Sequence, residues 1–456
     1  MSVARRALQS VTLYRPDKTY NGFTLFTPMT PRPSNVWLID MQGRFVHRWQ
    51  LPGWVRLRAQ LLPNGNLLFG LLHEDEADAS LVRLPFYAGE VDEMDWDGNI
   101  VWQYKEPLMD AHDQVRMKNG NTLIQKYVEV PEDIAVKVKG GVPGSEAPAW
   151  GISLEGREVA MLGYALQEIS PEGKVVWEWL TYEHLDPELD SISPPQRRVL
   201  WPGWNSLVEL PDGNIMTCSF STDNIIIIDK ATGDIKWRWG QGQIFMPHNP
   251  SMLDNGNILV LDNGRGRPVG PGHSRVIEFN PETNEIEWAF EEENPVNFDT
   301  SYIGGCERLP NGNTLICEGE RGRFFEVTAS GEMVWEYVVP FYAGEEWMWY
   351  GRYSNATFRC HRYGPDYPGL QGKKLDPEKL DLWNRLYGPD AFAPYGRPSM
   401  GGMERTPIME EEEPSVRKEP EAKEEPRPSV VRPEQKAPSA AKKGEKVRTR
   451  LQRLGY

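Results

Sequence analysis

The chain has 456 residues, 39% of them hydrophobic, with 17 Trp and a formal net charge of −16. That is enough apolar material for one large core or two domains, and so acidic a balance excludes nucleic acid as the main partner, because phosphate contacts need a clustered basic face. No run approaches the roughly eighteen apolar residues of a membrane span, and Cys218, Cys306, Cys317 and Cys360 lie far apart without a Cys-x-x-Cys pair, which favours free, buried thiols over a disulfide framework or a metal site.

Residues 1–20 read as an N-terminal arm. The opening MSVARRALQSVTLYRPDK has basic residues but no apolar h-region, so no secretory leader is read and a cytoplasmic location is expected. Strand candidates GFTLFTP and NVWLID follow, then QGRFVHRW (42–49). From there one phrase recurs five times: LLPNGNLLFG (61–70), MKNGNTLIQK (117–126), LPDGNIMTCS (210–219), LDNGNILVLD (253–262) and LPNGNTLICE (309–318). Each sets Asn-Gly or Asp-Gly between apolar runs, which predicts a hairpin with a two-residue type I′ turn and positive φ at both central residues.

A second phrase, a polar turn and a hydrophobic stretch ending in Trp, follows each hairpin: DGNIVW, EGKVVW, TGDIKW, TNEIEW and SGEMVW. Six such units predict an all-β fold, a six-bladed β-propeller over 21–345. The blades are expected at 22–50, 55–105, 111–180, 203–240, 246–290 and 302–340, with Trp49, Trp102, Trp177, Trp237, Trp288 and Trp335 largely buried between them. Long loops at 72–90 and 128–163 are expected to cover one mouth of the channel. Residues 346–400 read as a closing extension. Residues 401–456, rich in Pro, Glu and Lys and poor in aromatics, read as a disordered charged tail, either solubilising or able to dock a protein partner.

On a propeller the first strand of each blade lines the channel, and ligands bind at its mouth. Counting eight residues back from each hairpin Gly gives Leu57, His112, Asn205, His248 and Gly304. His112 and His248 are thus candidate catalytic residues on equivalent positions of different blades. After the second strand of blade five come Asn263, Arg265 and Arg267, and blade six adds Arg321. These are candidate substrate-binding residues, since guanidinium groups hold oxyanions through paired charged donors. GRGRPVGPG lacks the strand-to-helix setting of a dinucleotide loop, DEMDWDGN lacks the rest of a calcium loop, and no cofactor or metal is expected.

The phrases YNGFTLFTP, VWLIDMQGRFVHRW, HDQVRMKNGNTL, WNSLVELPDGN, HNPSMLDNGNILVLDNGRGR and GGCERLPNGNTLICEGERGRFF together resemble the arylsulfotransferase family of six-bladed propellers, over about 20–370. YSNATFRCHRYGPDYPGL resembles the segment that closes the family's ring. The resemblance implies nucleotide-independent transfer of a sulfuryl group from an aryl sulfate to a phenol, through a transiently sulfated histidine assisted by two further histidines and an arginine. His248 and Arg267 match one assisting histidine and the arginine. Gly203 stands where the family has a blade-four histidine, and the blade-six stretch that should hold the sulfated one offers Glu320, Arg321 and Arg323. Two readings stay open: an enzyme acting on an anionic aromatic or sulfate-type substrate, including a lyase or hydrolase on the same rim, and a propeller that only binds ligand or protein.

Overall fold

A computed structural model of the chain describes residues 9–400 apart from 31–33, 56, 74–80, 82–83, 85, 269–271, 344–353, 390 and 392–398. The tail at 401–456 lies outside the described residues. Six antiparallel sheets, each of four strands in sequential order apart from the first and last, form the six blades. Blade two is built from Ala59–Leu61, Leu67–Leu71, Glu90–Met94 and Ile100–Lys105, and blade three from Met109–Arg116, Thr122–Glu129, Leu162–Ile169 and Val175–Leu180. Blade four holds Trp204–Glu209, Ile215–Ser219, Asn224–Ile228 and Ile235–Trp239, and blade five Pro247–Met252, Ile258–Asp262, Arg275–Phe279 and Ile286–Phe290.

The ring closes at both ends of the chain. Blade one takes Phe23–Pro28, Asn35–Ile39 and Phe45–Gln50 from the start of the sequence, but its innermost strand is Thr357–Tyr363. That strand pairs antiparallel with Phe23–Pro28, from Phe23 opposite Tyr363 to Pro28 opposite Thr357. Blade six, Gly305–Arg308 to Met333–Val338, gains Ser10–Tyr14 as a fifth strand, and the two-residue strand Ser399–Met400 pairs in parallel with that one as a sixth. Blade one therefore extends beyond the expected 22–50, because no Asn-Gly turn marks the strand that completes it.

The five repeated hairpins have a different turn from the one expected. In each, the Gly has a φ between +84° and +88°, while the preceding Asn or Asp does not have positive φ. Leu62 accepts from Gly65 N–H and donates to Asn66 O. This is a three-residue loop, a type I turn followed by a left-handed Gly in a bulge, so only the Gly needs the unusual conformation. The preceding Asn or Asp instead accepts a hydrogen bond from the backbone N–H two residues on, at Asn66, Asn121, Asn214, Asn257 and Asn313.

That second Asn explains why the phrase repeats. Asn66, Asn121, Asn257 and Asn313 donate to Glu93, Glu168, Glu278 and Glu326 on the third strand of their own blades. Each Glu in turn pairs with a cation of the next blade: Arg116, Lys230, Arg308 and Arg362. The same cation lies against the face of the outer-strand Trp, with Arg116 over Trp102, Lys230 over Trp177, Arg308 over Trp288 and Arg362 over Trp335. Trp102, Trp237, Trp288 and Trp335 also donate Nε1–H to a carbonyl of the following blade. Turn, carboxylate, cation and indole thus form one clasp between neighbouring blades, in which each charge is paired as its burial requires.

Trp49 and Trp335 are buried as expected, but Trp102, Trp177, Trp237 and Trp288 are only half-buried. They sit on the outermost strands, where one face covers the neighbouring blade and the ring edge meets water. The insertion at 130–161 carries two short strands, Ser153–Leu154 and Arg157–Glu158, and a third, Gly140–Val142, that pairs in parallel with Ile192–Arg197. Val130, Val138, Ile152 and Leu154 from it share one apolar cluster with Leu72, Leu81, Leu84 and Tyr87 from the other long loop. All four Cys are free and buried.

Candidate functional site at the channel mouth

The innermost strands do not run as flat ladders. In blade three, Val115 pairs with Leu123 and Asp110 with Gln125, so Ala111–Gln114 arch away from the sheet opposite one residue. In blade five, Asn249 and Pro250 are displaced in the same way between His248 and Ser251. Such bulges re-aim side chains, and here they turn His112, Asp113 and His248 toward the channel.

His112 is buried and held by Asp110, whose Oδ1 accepts from the His112 backbone N–H and lies 2.8 Å from Nδ1. The same carboxylate accepts from Gln125 Nε2 at 2.8 Å, Tyr127 OH at 2.6 Å and Tyr164 OH at 3.0 Å. Surrounded by donors, Asp110 acts as an acceptor only, so Nδ1 carries the proton and Nε2 is left for the channel. Burial and the Asp110 charge push the Tyr164 hydroxyl well up, so it stays a donor.

His248 reaches the same tautomer by a neutral route. Asn263 donates its amide N–H groups to the carbonyls of Thr300 and Ile303, the latter at 3.1 Å, which fixes Oδ1 as the atom facing His248 Nδ1 at 2.9 Å. Nδ1 is therefore the donor and Nε2 the free lone pair. Among the described residues neither Nε2 has a hydrogen-bond partner. Burial, then the Arg359 charge and His112, push His248 down to about 3, so it is neutral at any ordinary pH.

The two imidazoles flank Phe358, with ring centroids 5.9 Å from His112 and 6.0 Å from His248. Phe86 stacks on His112 at 4.2 Å and Phe220 lies 5.8 Å away. Met29, Leu57, Ile303 and Ala356 complete an apolar wall with Phe358. One residue further along the strands, charges meet across the channel. Asp113 accepts from Arg58 Nη1 at 2.5 Å and from Arg359 Nη1 at 2.9 Å, while Arg359 Nη2 donates to Asn205 O at 2.7 Å. Four blades are joined at this point. Two buried guanidinium groups share one carboxylate, and a surplus positive charge remains beneath the imidazoles.

Asn263 sets a tautomer rather than facing the channel. Arg267 donates to Asp262 at 2.8 Å, with Nη1 3.2 Å from His273 Nε2, and Arg321 donates to Glu318 at 2.6 Å. Arg265 is exposed, its guanidinium 5.4 Å from the Tyr302 ring. Of the expected residues, then, His112 and His248 are brought together, and Arg359 is the arginine beside them. Counting one place beyond His112, and aligning Arg362 with Arg116, would have found Asp113, Phe358 and Arg359. The other histidines lie elsewhere: His47 against Trp96, His73 with Glu90, His184 against Trp179, His273 by Glu291 and His361 toward Tyr363. Cys218 hydrogen-bonds Asn205 and is pushed up to about 12 by burial, too high for a thiolate nucleophile.

A family model described as arylsulfotransferase (ASST) matches residues 58–339. The chain belongs to the arylsulfotransferase family. The match runs from Arg58 through both histidines and stops short of the strand that carries Arg359. No curated protein matches the chain. Among solved structures, a protein of unknown function from Bacteroides caccae is 15% identical, covering 75% of this chain and 100% of its own, with a TM-score of 0.46. A catalytically inactive virginiamycin B lyase from Staphylococcus aureus, solved with quinupristin, is 12% identical, covering 70% of this chain and 86% of its own, with a TM-score of 0.38. Among the described residues no helix is long and apolar enough to cross a membrane, and no group of three or more His, Cys, Asp or Glu could hold a metal ion.

Proposed function

We propose that the chain transfers a sulfuryl group from an aryl sulfate to a phenolic acceptor at the channel mouth, with His248 as nucleophile, His112 as acid and base, and Arg359 as the principal anion-binding charge. The observation that carries this reading is the pair of buried imidazoles, both with Nδ1 tied back and Nε2 free, above a surplus buried cation. Phe86, Phe220 and Phe358 supply a wall for the aryl ring.

In the first half-reaction His248 Nε2 attacks sulfur, the N–S bond forms, and the bond from sulfur to the aryl oxygen breaks with its electron pair leaving on oxygen. His112, after taking up a second proton from solvent at Nε2, gives that proton to the phenolate, which needs one because a phenol's ordinary pKa is about 10. In the second half-reaction the acceptor phenol returns a proton to His112 as its oxygen attacks sulfur, and the N–S bond breaks to restore His248. Asn263 Oδ1 accepts the Nδ1–H of the sulfated ring throughout, and Asp110 balances the charge on His112. Arg359 and the cation surplus stabilise the nonbridging oxygens. Arg265, exposed on the loop outside, attracts the anion, whereas Arg267 is held by Asp262.

The test is incubation with 4-nitrophenyl sulfate, followed by peptide mass analysis at neutral pH. A gain of one SO₃ group on the peptide containing HNPSML, absent in His248→Ala together with nitrophenol release, is expected. A label on another residue, or nitrophenol release that survives in His248→Ala, overturns the assignment. Binding of the ester without turnover by the intact chain in the presence of phenols favours the propeller that only binds ligand.

A further inference from the structure

A second site lies on the outer edge of the ring, between blades one and two and the segment after the closing strand. There a cleft of about 490 Å³ is lined by His47, Arg48, Trp96, Lys373, Lys374 and Lys379, with Asp97 as its acidic member. It is reached from the fourth strand of blade one, Phe45–Gln50, at the opposite side of the sheet from the channel-lining Thr357–Tyr363. None of the residues at the channel mouth takes part in it.

The cleft is built rather than incidental. Trp96 stacks on His47 at 4.0 Å on one side, and Lys373 Nζ lies 5.1 Å from the centre of the same indole. Lys373 passes over the blade-two turn so closely that a Cβ at Gly65 would stand 2.8 Å from its Cε. Lys374 pairs with Asp376 at 3.3 Å. Among the described residues neither Lys373 nor Lys379 has a carboxylate within 4.0 Å, and Arg48 donates to Gln50 and rests over Trp37 and Trp383. Cations so placed beside a half-buried imidazole carry mutual repulsion that an anion would relieve. Among the described residues His47 Nε2 is buried without a hydrogen-bond partner.

We propose that this cleft binds a multiply charged oxyanion of the phosphate or sulfate class, either as a free ion or as the head of an ester, with Lys373 and Lys379 as its principal contacts. The Trp96 indole is already engaged by His47, Trp49 and Lys373, so recognition falls on the charged head and not on an aromatic group.

The experiment follows the His47 imidazole by NMR, its resonances assigned by their loss in His47→Gln, while the whole protein is titrated with inorganic phosphate, inorganic sulfate or phenyl phosphate. The expected result is a saturable shift with a Kd of about 1 mM or tighter, weakened roughly tenfold or more in Lys373→Ala/Lys379→Ala, with that variant retaining the parent's melting temperature. Saturation by the inorganic ions identifies a free-ion site, and saturation by phenyl phosphate alone identifies an ester head. Absence of saturation by all three probes, or a shift unchanged in a double variant that remains folded, overturns the proposal. Reading the signal at His47 keeps the outcome separate from anything the same ions do at the channel mouth.

Discussion

Arg359 and Asp113 meet at 2.9 Å although 246 positions separate them in the chain. The contact ties the strand that closes blade one to the inner strand of blade three, and through Asn205 O and Arg58 it reaches blades four and two. One carboxylate therefore keeps two buried guanidinium groups together and sets the excess charge under His112 and His248.

Removing that carboxylate should be costly. Asp113→Asn keeps the shape but leaves two like charges in a site that excludes water, so unfolding in urea should show a loss of about 3–5 kcal/mol. A variant within about 1 kcal/mol of the parent would mean that water or an anion already screens the pair.

Arg359→Ala tests the charge at the reaction centre. Nitrophenol release should fall by roughly 10²–10³, the scale of losing one preorganised donor to a developing oxyanion, provided that circular dichroism shows the fold retained. An equal loss of activity in Arg267→Ala, with Arg359→Ala unaffected, would return the anion-binding role to the blade-five loop.

Asp110 acts through His112 and so should leave a kinetic signature. Asp110→Asn disturbs the Nδ1–H contact without touching substrate, and turnover should drop by about 10² or more. Sulfation of His248 by an ester with a good leaving group, which needs little proton donation, should be far less affected. A uniform loss of both steps would mark Asp110 as merely structural, since its five donors also hold Tyr127, Tyr164 and Gln125.

Stability should fall in acid with a definite sign. His47 and His248 are pushed down to about 4 and about 3, chiefly by burial, so between those values and about 6.5 the unfolded chain binds protons that the folded one refuses. Their stabilisation is complete above about pH 6.5 and is lost as pH falls, at up to about 1.4 kcal/mol per pH unit for each group. Asp92 and Asp223, pushed up to about 7 by burial, act oppositely: their contribution is present below about pH 4 and lost as pH rises through 7. Comparing the parent with His47→Gln isolates one term. The stability difference between pH 7 and pH 5 should be more favourable to pH 7 in the parent than in the variant, and equal differences would contradict the burial of a neutral ring.

The clasp between blades offers a comparison within one molecule. Asn121 binds Glu168, which also holds Lys230 of the next blade, whereas Asn214 binds Asp212 of its own turn. Glu168 is buried and Asp212 exposed, so Asn121→Ala should cost about 1.5–3 kcal/mol, the range for a hydrogen bond to a charged group, and Asn214→Ala, whose carboxylate partner is solvated, less. Thermal unfolding of the two variants checks the order.

Most of the ring was legible because its repeats are local. Each Asn-Gly phrase fixes a hairpin within a few residues, and each Trp phrase fixes the outer strand, so five blades follow from short-range pattern alone. The turn type is not legible in the sequence because Asn-Gly serves both a two-residue loop and the three-residue loop found here, and only the bond from Leu62 to Asn66 distinguishes them. His112 and His248 were found by counting because they share a register. Arg359 and Phe358 were not, since Thr357–Tyr363 is followed by no hairpin Gly from which to count. Arg267 drew attention by its place in DNGRGR, but Asp262 lies five residues before it and takes its charge, a pairing that sequence proximity alone does not announce.

The closing strand also orders events in time. As the chain leaves the ribosome, Phe23–Pro28 emerges early, yet its partner Thr357–Tyr363 is made more than three hundred residues later, a wait on the order of tens of seconds at about 5–20 residues per second. Throughout that interval one edge of the first sheet has its backbone groups without their final partner, an invitation to the wrong strand. Arg359 arrives in the same stretch that covers this edge. Completion of the circle and arrival of the buried charge are thus a single step, and a nascent chain halted before it has neither.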